Sequence, residues 1–317
     1  MLARLTVAGE SRRVDRFLRD ELGAGFGRRA VAALIAAGAV RVNGRVAAKS
    51  TLVAAGDEVT VDARPEASTT LQSLPLSLAI VHCDEQLVAV DKPPGLPSTA
   101  GRGGAASVAA GLLHRFPEMA AIDSTRAAGL VHRLDTGTSG LLLAARTPLA
   151  YRRLRNAFSA KTIVKEYLAV VHSRLVGEGA VSAPLARRPH SSKRMVVADD
   201  ARGWHAATEY RPLATARDFT LVRLRMRTGV THQLRVHMAH LGHPVVGDRR
   251  YGGTSRADVV GGAVTPQTGD AAWHYLHALR IGADDGELPP GIATVFPAHW
   301  QALFARLAWP TALPQPW

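Results

Sequence analysis

Residues 64–77, RPEASTTLQSLPLS, are the feature that most limits how this chain can fold. The stretch is polar, contains proline and shows no apolar periodicity, which is typical of a linker. A chain of 317 residues is also long enough for roughly two domains. We therefore predict a small domain over residues 1–63, a linker over 64–78 and a larger domain over 79–317.

The predicted small domain contains two helices followed by a small sheet. In RRVDRFLRDELG the apolar residues Val14, Phe17 and Leu18 recur at helical spacing, and RRAVAALIAAG forms a second helical segment. The pair Asn43-Gly44 within AVRVNGRVA predicts a hairpin, and GDEVTVDA predicts a further short strand. This order of elements resembles the S-four type RNA-binding domain, although other small helix–hairpin modules share it.

The larger domain mixes strand and helix patterns without a regular βαβ alternation. Strand patterns include LAIVHC, QLVAVDK, KEYLAVVH, AATEYRPLA and FTLVRLRMRT, whereas AASVAAGLLHRF, PLAYRRLRNAFSA and THQLRVHMAHLG have helical patterns. Because a doubly wound parallel sheet would need alternating strands and helices, the predicted fold class is α+β.

The charge of the chain points to a polyanion as partner. Lysine and arginine total 39 and aspartate and glutamate 26, which gives a formal net charge of +13. Residues 1–50 carry ten of the basic and four of the acidic residues, so they contribute +6. A basic end of this kind favours nucleic acid over a charge that serves only solubility.

Other totals limit where the protein works. Cys83 is the only cysteine, which excludes an internal disulfide and a multi-cysteine metal site. The chain has no apolar run of about 18 residues and no apolar segment of signal-peptide length near its first residue. We expect a cytoplasmic protein without a membrane segment.

The stretch AAGLVHRLDTGTSGLLLAART, residues 127–147, places a single carboxylate, Asp135, between a basic pair and a buried strand. Aspartate beside threonine, glycine and serine is common in turns and at helix caps. On its own this segment therefore predicts a turn or a cap at least as well as a catalytic group.

Four blocks in a fixed order make a more specific pattern. They are DKPPGLPS (91–98), GLVHRLDTGTSGLLLAART (129–147), KEYLAVV (165–171) and RTGVTHQLRVHMAHLGHPVVGDRRYG (227–252). Together they resemble the RluA-type family of RNA pseudouridine synthases, over about residues 79–280. The resemblance implies a mixed, mainly antiparallel sheet with a central cleft, and an isomerase that converts uridine in RNA to pseudouridine without a cofactor.

The resemblance also implies roles for three residues. Asp135 matches the catalytic nucleophile, Arg235 the guanidinium that keeps this carboxylate ionised, and Tyr167 the active-site tyrosine that stacks on uracil. Without the resemblance, Arg235 would be read as a solvated helix residue and Tyr167 as a core aromatic.

RNA contacts are predicted at four further positions of the same blocks. Arg133 matches an RNA-contacting arginine, and we predict RNA binding by His132, Lys165 and His232 as well. Val230 stands where family members usually have arginine before the Thr-His-Gln triplet, so one expected contact is missing.

A metal site is not predicted, although residues 232–243 contain four histidines, His232, His237, His240 and His243. The segment has no HExxH motif and no cysteine partner, and Arg235 among the histidines would repel a cation. The glycine-rich GLPSTAGRGG lacks the Gly-Lys-Ser/Thr ending of a phosphate loop.

Three functions stay open at this stage. A pseudouridine synthase acting on ribosomal RNA is the main prediction, with transfer RNA as the alternative substrate. A catalytically inactive RNA-binding protein of the same fold is the second. A nucleoside hydrolase or glycosylase is the third, but it would need an activated water and a second acid. We expect a monomer with no obligate protein partner.

Overall fold

The computed structural model describes most of the chain in two compact units, residues 1–69 and 70–317. The described residues are 3–22, 28–62, 71–100, 106–122, 127–189, 194–198, 203–254, 273–283, 286, 288–289 and 292–311. Each unit has its own apolar core.

The first unit combines two helices with short antiparallel strands. Its elements are β1 (Ala3–Thr6), β2 (Arg12–Arg13), α1 (Val14–Glu21), α2 (Arg28–Ala36), β3 (Val40–Val42), β4 (Arg45–Val46), β5 (Leu52–Val53) and β6 (Glu58–Val61). Four strands form a sheet in the order β1-β6-β3-β4, and β2 pairs with β5.

The apolar stripe of the first predicted helix is buried. Val14, Phe17 and Leu18 lie in the core of this unit, as the helical spacing predicts. The helix is shorter than its pattern, however, and begins at Val14. Arg12 and Arg13 instead pair with β5, which takes their backbone out of the helix.

The predicted hairpin at Asn43-Gly44 is confirmed. Both residues have positive φ, 50° and 78°, as a two-residue turn between β3 and β4 requires. The side-chain amide of Asn43 donates to Oδ1 of Asp57 at 2.8 Å, and its oxygen accepts from the backbone N–H of Glu58 at 2.9 Å. The turn is thereby attached to the neighbouring strand β6.

The second unit is built on an eight-stranded sheet. The described strands of this unit, in the sheet and outside it, are β7 (Ala79–Cys83), β8 (Leu87–Lys92), β9 (Ser139–Ala145), β10 (Ile163–His172), β11 (Gly179–Ser182), β12 (Leu185–Arg187), β13 (Met195–Val197), β14 (Ala207–Ala216), β15 (Phe219–Met226) and β16 (Leu276–Ala283). The sheet order is β11-β14-β15-β10-β16-β9-β8-β7, and β12 and β13 form a separate hairpin.

Four α-helices are described in this unit: α3 (Val108–Arg115), α4 (Pro148–Ala160), α5 (Gln233–His240) and α6 (Gln301–Leu307). Among the paired strands of the described residues, only β9 and β16 run parallel. The predicted α+β class with a mainly antiparallel sheet is confirmed.

Strand β10 separates two apolar clusters. Tyr167, Ala169 and Val171 face the cluster that includes α3 and α4, whereas Leu168 and Val170 face the cluster around α6. This alternation follows from the two-residue period of a strand. It places the side chain of Tyr167 on the face of the sheet that also borders Asp135.

The predicted linker is described only in part, because residues 64–70 lie outside the described residues. Leu71 is buried in the larger cluster, and Leu74 and Leu78 pack against it. The backbone N–H of Leu74 also donates to the carbonyl oxygen of Ala110 in α3, at 3.2 Å. Residues 71–78, which the sequence predicts as linker, therefore pack as part of the second unit.

Candidate active site

Asp135 lies in a turn that other segments hold from both sides. The backbone N–H of Thr138 donates to the carbonyl oxygen of Asp135 at 3.1 Å, which closes the turn. The hydroxyl of Ser98 donates to the carbonyl oxygen of Leu134 at 2.8 Å and accepts from its N–H at 3.0 Å. Thr138 Oγ1 lies 2.8 Å from Nε2 of the buried His274. These contacts fix the backbone from which the carboxylate projects.

Lys92, at the end of β8, is hydrogen-bonded to the same turn. Its Nζ is fully buried and donates to the carbonyl oxygens of Pro93 and Leu96, each at 2.9 Å, and of Thr136 at 3.2 Å. Burial lowers the pKa of Lys92 to about 7, against the opposing charge of Asp135. The amine thus joins the loop after β8 to the turn that carries the carboxylate.

The carboxylate of Asp135 pairs with Arg235 of α5. Nη1 of Arg235 donates to Oδ2 of Asp135 at 2.7 Å, and the two side chains are 8% and 20% exposed respectively. One hundred residues separate them in the chain. The guanidinium is therefore a nearly enclosed donor, while part of the Asp135 side chain remains accessible.

A second carboxylate, Asp248, holds the other side of this guanidinium. Nε of Arg235 donates to Oδ2 of Asp248 at 2.6 Å and Nη2 donates to Oδ1 at 2.8 Å. Asp248 is buried. Because this bidentate pair uses two nitrogens and sets the plane of the guanidinium, only Nη1 is directed at Asp135.

The surrounding charges keep Asp135 ionised. Burial alone would raise the pKa of its carboxyl, but the charge of Arg235 and the hydrogen bond from Arg235 hold the pKa below its ordinary value. A carboxylate in an enclosed site thus stays negatively charged at neutral pH.

Tyr167 lines the same cavity from β10. Its side chain is buried, and burial together with the charge of Asp135 raises the pKa of its phenol above the ordinary value. The hydroxyl is therefore neutral over the physiological range. A neutral phenol can present its ring to a planar ligand and can donate and accept a hydrogen bond.

These groups border a cavity of about 400 Å³. This is within the roughly 300–1,000 Å³ of small-molecule sites. All seven residues singled out from the sequence line it: His132, Arg133, Asp135, Lys165, Tyr167, His232 and Arg235. Apolar walls come from side chains such as Phe158 and Met226. The cavity can take a planar group and place it against one ionised carboxylate.

Two of the predicted RNA-binding side chains already have internal partners. Nε2 of His132 accepts from the backbone N–H of Leu143 at 3.0 Å, and its ring stacks on Phe158 with centroids 5.1 Å apart. Nζ of Lys165 is buried and donates to the carbonyl oxygen of Thr228 at 2.7 Å. Both side chains therefore shape the wall of the cavity.

The other two, Arg133 and His232, occupy different positions on the cavity. The side chain of Arg133 is exposed at its rim. His232 is the N-cap residue of α5 and has a left-handed backbone conformation, with φ 58°, so the helix begins at Gln233, two residues after the start of the predicted segment THQLRVHMAHLG. Its Nε2 lies 3.8 Å from Oδ1 of Asp135.

The sequence analysis assigned no role to Asp248, Tyr251 or His274. The first two lie in GDRRYG, at the end of the fourth motif block, but nothing in that block distinguishes them as site residues. Their contacts with Arg235 and His232 depend on tertiary folding and have no local signal. Val230, the departure from the family pattern, lines the cavity and packs against the apolar cluster that includes Leu185.

Comparison with protein families gives two matches. Residues 86–240 match the model described as RNA pseudouridylate synthase, and residues 12–59 match the S4 domain. The first match contains Asp135, Tyr167 and Arg235.

Curated relatives and solved structures agree with these matches. The chain is similar to the ribosomal large subunit pseudouridine synthase D of Vibrio parahaemolyticus, with 38% identity over 74% of this chain and 72% of the relative. It is also similar to the protein of that name from Xylella fastidiosa, with 40% identity over 77% and 72%. The fold resembles human RNA pseudouridylate synthase domain containing 1 and 4, with TM-scores of 0.55 and 0.58 and identities of 24% and 23%. These alignments cover 75% and 73% of this chain and 91% and 93% of the human chains.

Proposed function

This chain belongs to the RNA pseudouridylate synthase family, which makes it an isomerase of uridine in RNA, and from that premise we propose that its substrate lies in the RNA of the large ribosomal subunit. Two relatives whose names state that substrate share 38% and 40% identity with it. The net charge of +13 suits a polyanion of this kind.

We propose that Asp135 is the nucleophile of this isomerisation. The observation that carries the proposal is the ion pair of Asp135 with Arg235 inside the cavity, at 2.7 Å. A nucleophilic carboxylate must be ionised and must face the substrate. The buried guanidinium keeps the carboxylate ionised, and the side chain of Asp135 is partly exposed to the cavity, where a substrate can approach it.

The proposed reaction rearranges bonds within one nucleotide. The carboxylate forms a transient bond with the substrate, the bond between C1′ of the ribose and N1 of uracil breaks, and uracil turns within the cavity. A bond then forms between C1′ and C5, the proton on C5 leaves, and N1 gains a proton while the carboxylate is released. Atoms and electrons balance, so the reaction consumes no cofactor.

Tyr167 is proposed to hold the uracil while it turns. Its buried ring lies on the face of β10 that borders the cavity. Stacking between an aromatic ring and a base contributes about 1–3 kcal/mol. Because the phenol is neutral, its hydroxyl can also donate a hydrogen bond to the uracil.

The target uridine is proposed to leave the RNA stack before it reacts. Asp135 is only 20% exposed, so a base inside a duplex could not reach it. Extruding a base costs a few kcal/mol. The exposed guanidinium of Arg133 at the rim is proposed to bind the backbone and so offset part of that cost.

A cytoplasmic location and a monomeric state stay predictions. Within the residues that the structure describes, none of the helices combines the length and apolar character needed to cross a bilayer.

Release of tritium from carbon 5 of uridine tests the function directly. We expect the parent protein to release label from large-subunit ribosomal RNA, and Asp135→Asn to lower the rate by at least about a thousandfold. The exposed Asp218→Asn is the matched control and should react like the parent. Normal release by Asp135→Asn would remove Asp135 as nucleophile.

The same assay separates the other candidate functions. Binding without release of label would indicate an inactive RNA-binding protein, and free uracil would indicate a hydrolase. Release from transfer RNA but not from ribosomal RNA would contradict the proposed substrate.

A further inference from the structure

We propose that Tyr251 is a positioning residue, whose hydroxyl fixes the tautomer of His232 so that the Nε2–H of this imidazole faces the carboxylate of Asp135. The role in catalysis rests on the proposed function, in which Asp135 is the nucleophile. The tautomer itself follows from the groups that face the two ring nitrogens of His232.

The hydroxyl of Tyr251 stands between two groups. The backbone N–H of Met195 in β13 donates to its oxygen at 3.0 Å, and Nδ1 of His232 lies 2.7 Å from the same oxygen. A backbone N–H can only donate, so the direction of the first bond is fixed. The hydroxyl can then donate to Nδ1 of His232 or accept a second hydrogen bond from it, because a phenol oxygen has two lone pairs.

The carboxylate of Asp135 selects between these two arrangements, because it faces the other ring nitrogen of His232. Burial lowers the pKa of His232, with Arg235 acting in the same sense against the opposing charge of Asp135, so the imidazole is neutral at pH 7. A neutral imidazole has one N–H and one acceptor nitrogen. A hydrogen on Nε2 is attracted by the carboxylate of Asp135, and Nδ1 then accepts from the hydroxyl of Tyr251.

The orientation matters because Nε2 faces the reacting carboxylate. It lies 3.8 Å from Oδ1 of Asp135, whereas Nη1 of Arg235 lies 2.7 Å from Oδ2. With the hydrogen on Nε2, both oxygens face a positive dipole or charge. With the other tautomer, the lone pair of Nε2 would face Oδ1 and repel it. Active-site contacts of this length commonly shorten when substrate binds.

The position of Tyr251 is well determined by its surroundings. Its ring lies against the guanidinium of Arg235, with the central carbon 5.1 Å from the ring centroid, and packs in the cluster formed by Leu185, Met195 and Val236. The ring also meets His232 edge-on, with centroids 5.6 Å apart. Tyr251→Phe therefore removes the hydroxyl while keeping the packing and the contact with Arg235.

The tautomer can be read from the ring nitrogens of the full-length protein labelled with ¹⁵N-histidine. Long-range ¹H–¹⁵N correlations at pH 7 distinguish Nε2–H from Nδ1–H, and loss of the signals in His232→Gln assigns them. We expect the Nε2–H form in the parent and a mixture or the Nδ1–H form in Tyr251→Phe. An unchanged tautomer in Tyr251→Phe would overturn the proposal.

The tritium-release assay tests the consequence for catalysis. We expect kcat of Tyr251→Phe to fall about tenfold with KM unchanged, as for the loss of one hydrogen bond in the transition state. Tyr151→Phe in α4 is the matched control and should match the parent. A changed tautomer with parental kcat would overturn the positioning role. If Asp135→Asn kept its activity, the proposed role of Asp135 as nucleophile would fail, and the tautomer measurement would still decide the proton position.

Discussion

At the scale of residues, the site depends on how one guanidinium is shared between two carboxylates. Arg235 gives two nitrogens to Asp248 and one to Asp135. A lysine could not make this arrangement, since an ammonium is a point charge without a planar fork. The buried Asp248 therefore decides which nitrogen of Arg235 reaches the reacting group.

Asp248→Asn should destabilise the second unit and disturb the site. The change leaves Arg235 buried with one fewer carboxylate, and removing one partner of a buried pair costs about 3–5 kcal/mol. We expect a fall in Tm of at least about 6 °C. Tryptophan fluorescence can follow it, because all five tryptophans lie after residue 70. Asp218→Asn, on the surface, should shift Tm by less than about 2 °C, and an equal shift in both variants would contradict the role of Asp248.

Arg133→Ala should weaken RNA binding without affecting the fold. The side chain is exposed at the rim of the cavity, so its removal leaves no buried group unpaired. We expect KM for RNA to rise several-fold, the salt dependence of binding to decrease by about one phosphate contact, and Tm to stay constant. Turnover equal to that of the parent at all salt concentrations would count against this contact.

At the scale of elements, the parallel pair β9–β16 joins the Asp135 turn to the sheet. Ser139 and Gly140, the first residues of β9, pair with His277 and Ala278 of β16. A Cβ on Gly140 would lie 2.2 Å from the carbonyl oxygen of Ala278, and φ of Gly140 is +107°. The two strands can approach this closely only because residue 140 has no side chain.

Gly140→Ala should therefore separate β9 from β16. We expect a loss of at least about 2 kcal/mol in the free energy of unfolding, together with reduced isomerase activity because the turn at Asp135 shifts. Gly177→Ala is the matched control, since φ is also positive there, +75°, but no atom lies within 4 Å of the added Cβ. It should cost only about 1 kcal/mol. Urea unfolding measures both losses. Equal losses of unfolding free energy in the two variants would show that the positive φ, and not the close approach of Ala278, is what requires glycine at residue 140.

At the scale of the whole molecule, the second unit buries imidazoles that cannot take up protons easily. His277 lies between Ser139 Oγ at 2.9 Å and Thr294 Oγ1 at 2.7 Å, and burial lowers its pKa to about 3. Burial likewise lowers the pKa of His274 to about 4. In the unfolded chain both would titrate near pH 6.5.

The stability of this unit should therefore fall as the pH decreases from 6.5 towards 4. The pKa values of both histidines are lower in the folded than in the unfolded chain. Their contribution to the free energy of unfolding is therefore complete above the unfolded pKa and is lost as the pH falls through this range. At pH 5 the loss is about 2 kcal/mol for each histidine. Burial raises the pKa of Asp91 to about 6, which offsets part of the loss.

Urea unfolding followed by tryptophan fluorescence at pH 7, 6 and 5 measures this dependence. His277→Asn, which cannot be protonated at this position, should have a flatter dependence than the parent. A parental slope in this variant would show that the proton uptake lies elsewhere.

The sequence by itself determined the local elements and, through its motif blocks, the family. The buried stripe Val14, Phe17 and Leu18 and the turn at Asn43-Gly44 depend on residues close together in the chain, so their periodicity and backbone preferences were readable. The identity of Asp135 as a candidate came from the resemblance of its block, since an aspartate in a turn has no catalytic signature of its own.

Only the tertiary structure decided what surrounds that carboxylate. Arg235 lies 100 residues from Asp135 in the chain, and Met195 lies 56 residues from the Tyr251 whose hydroxyl it meets. Such contacts are set by how strands and helices pack, and no local pattern encodes them. The charge state of Asp135, the plane of Arg235 and the proton position on His232 are therefore properties of the folded chain, because each depends on partners that only folding brings within a few ångströms.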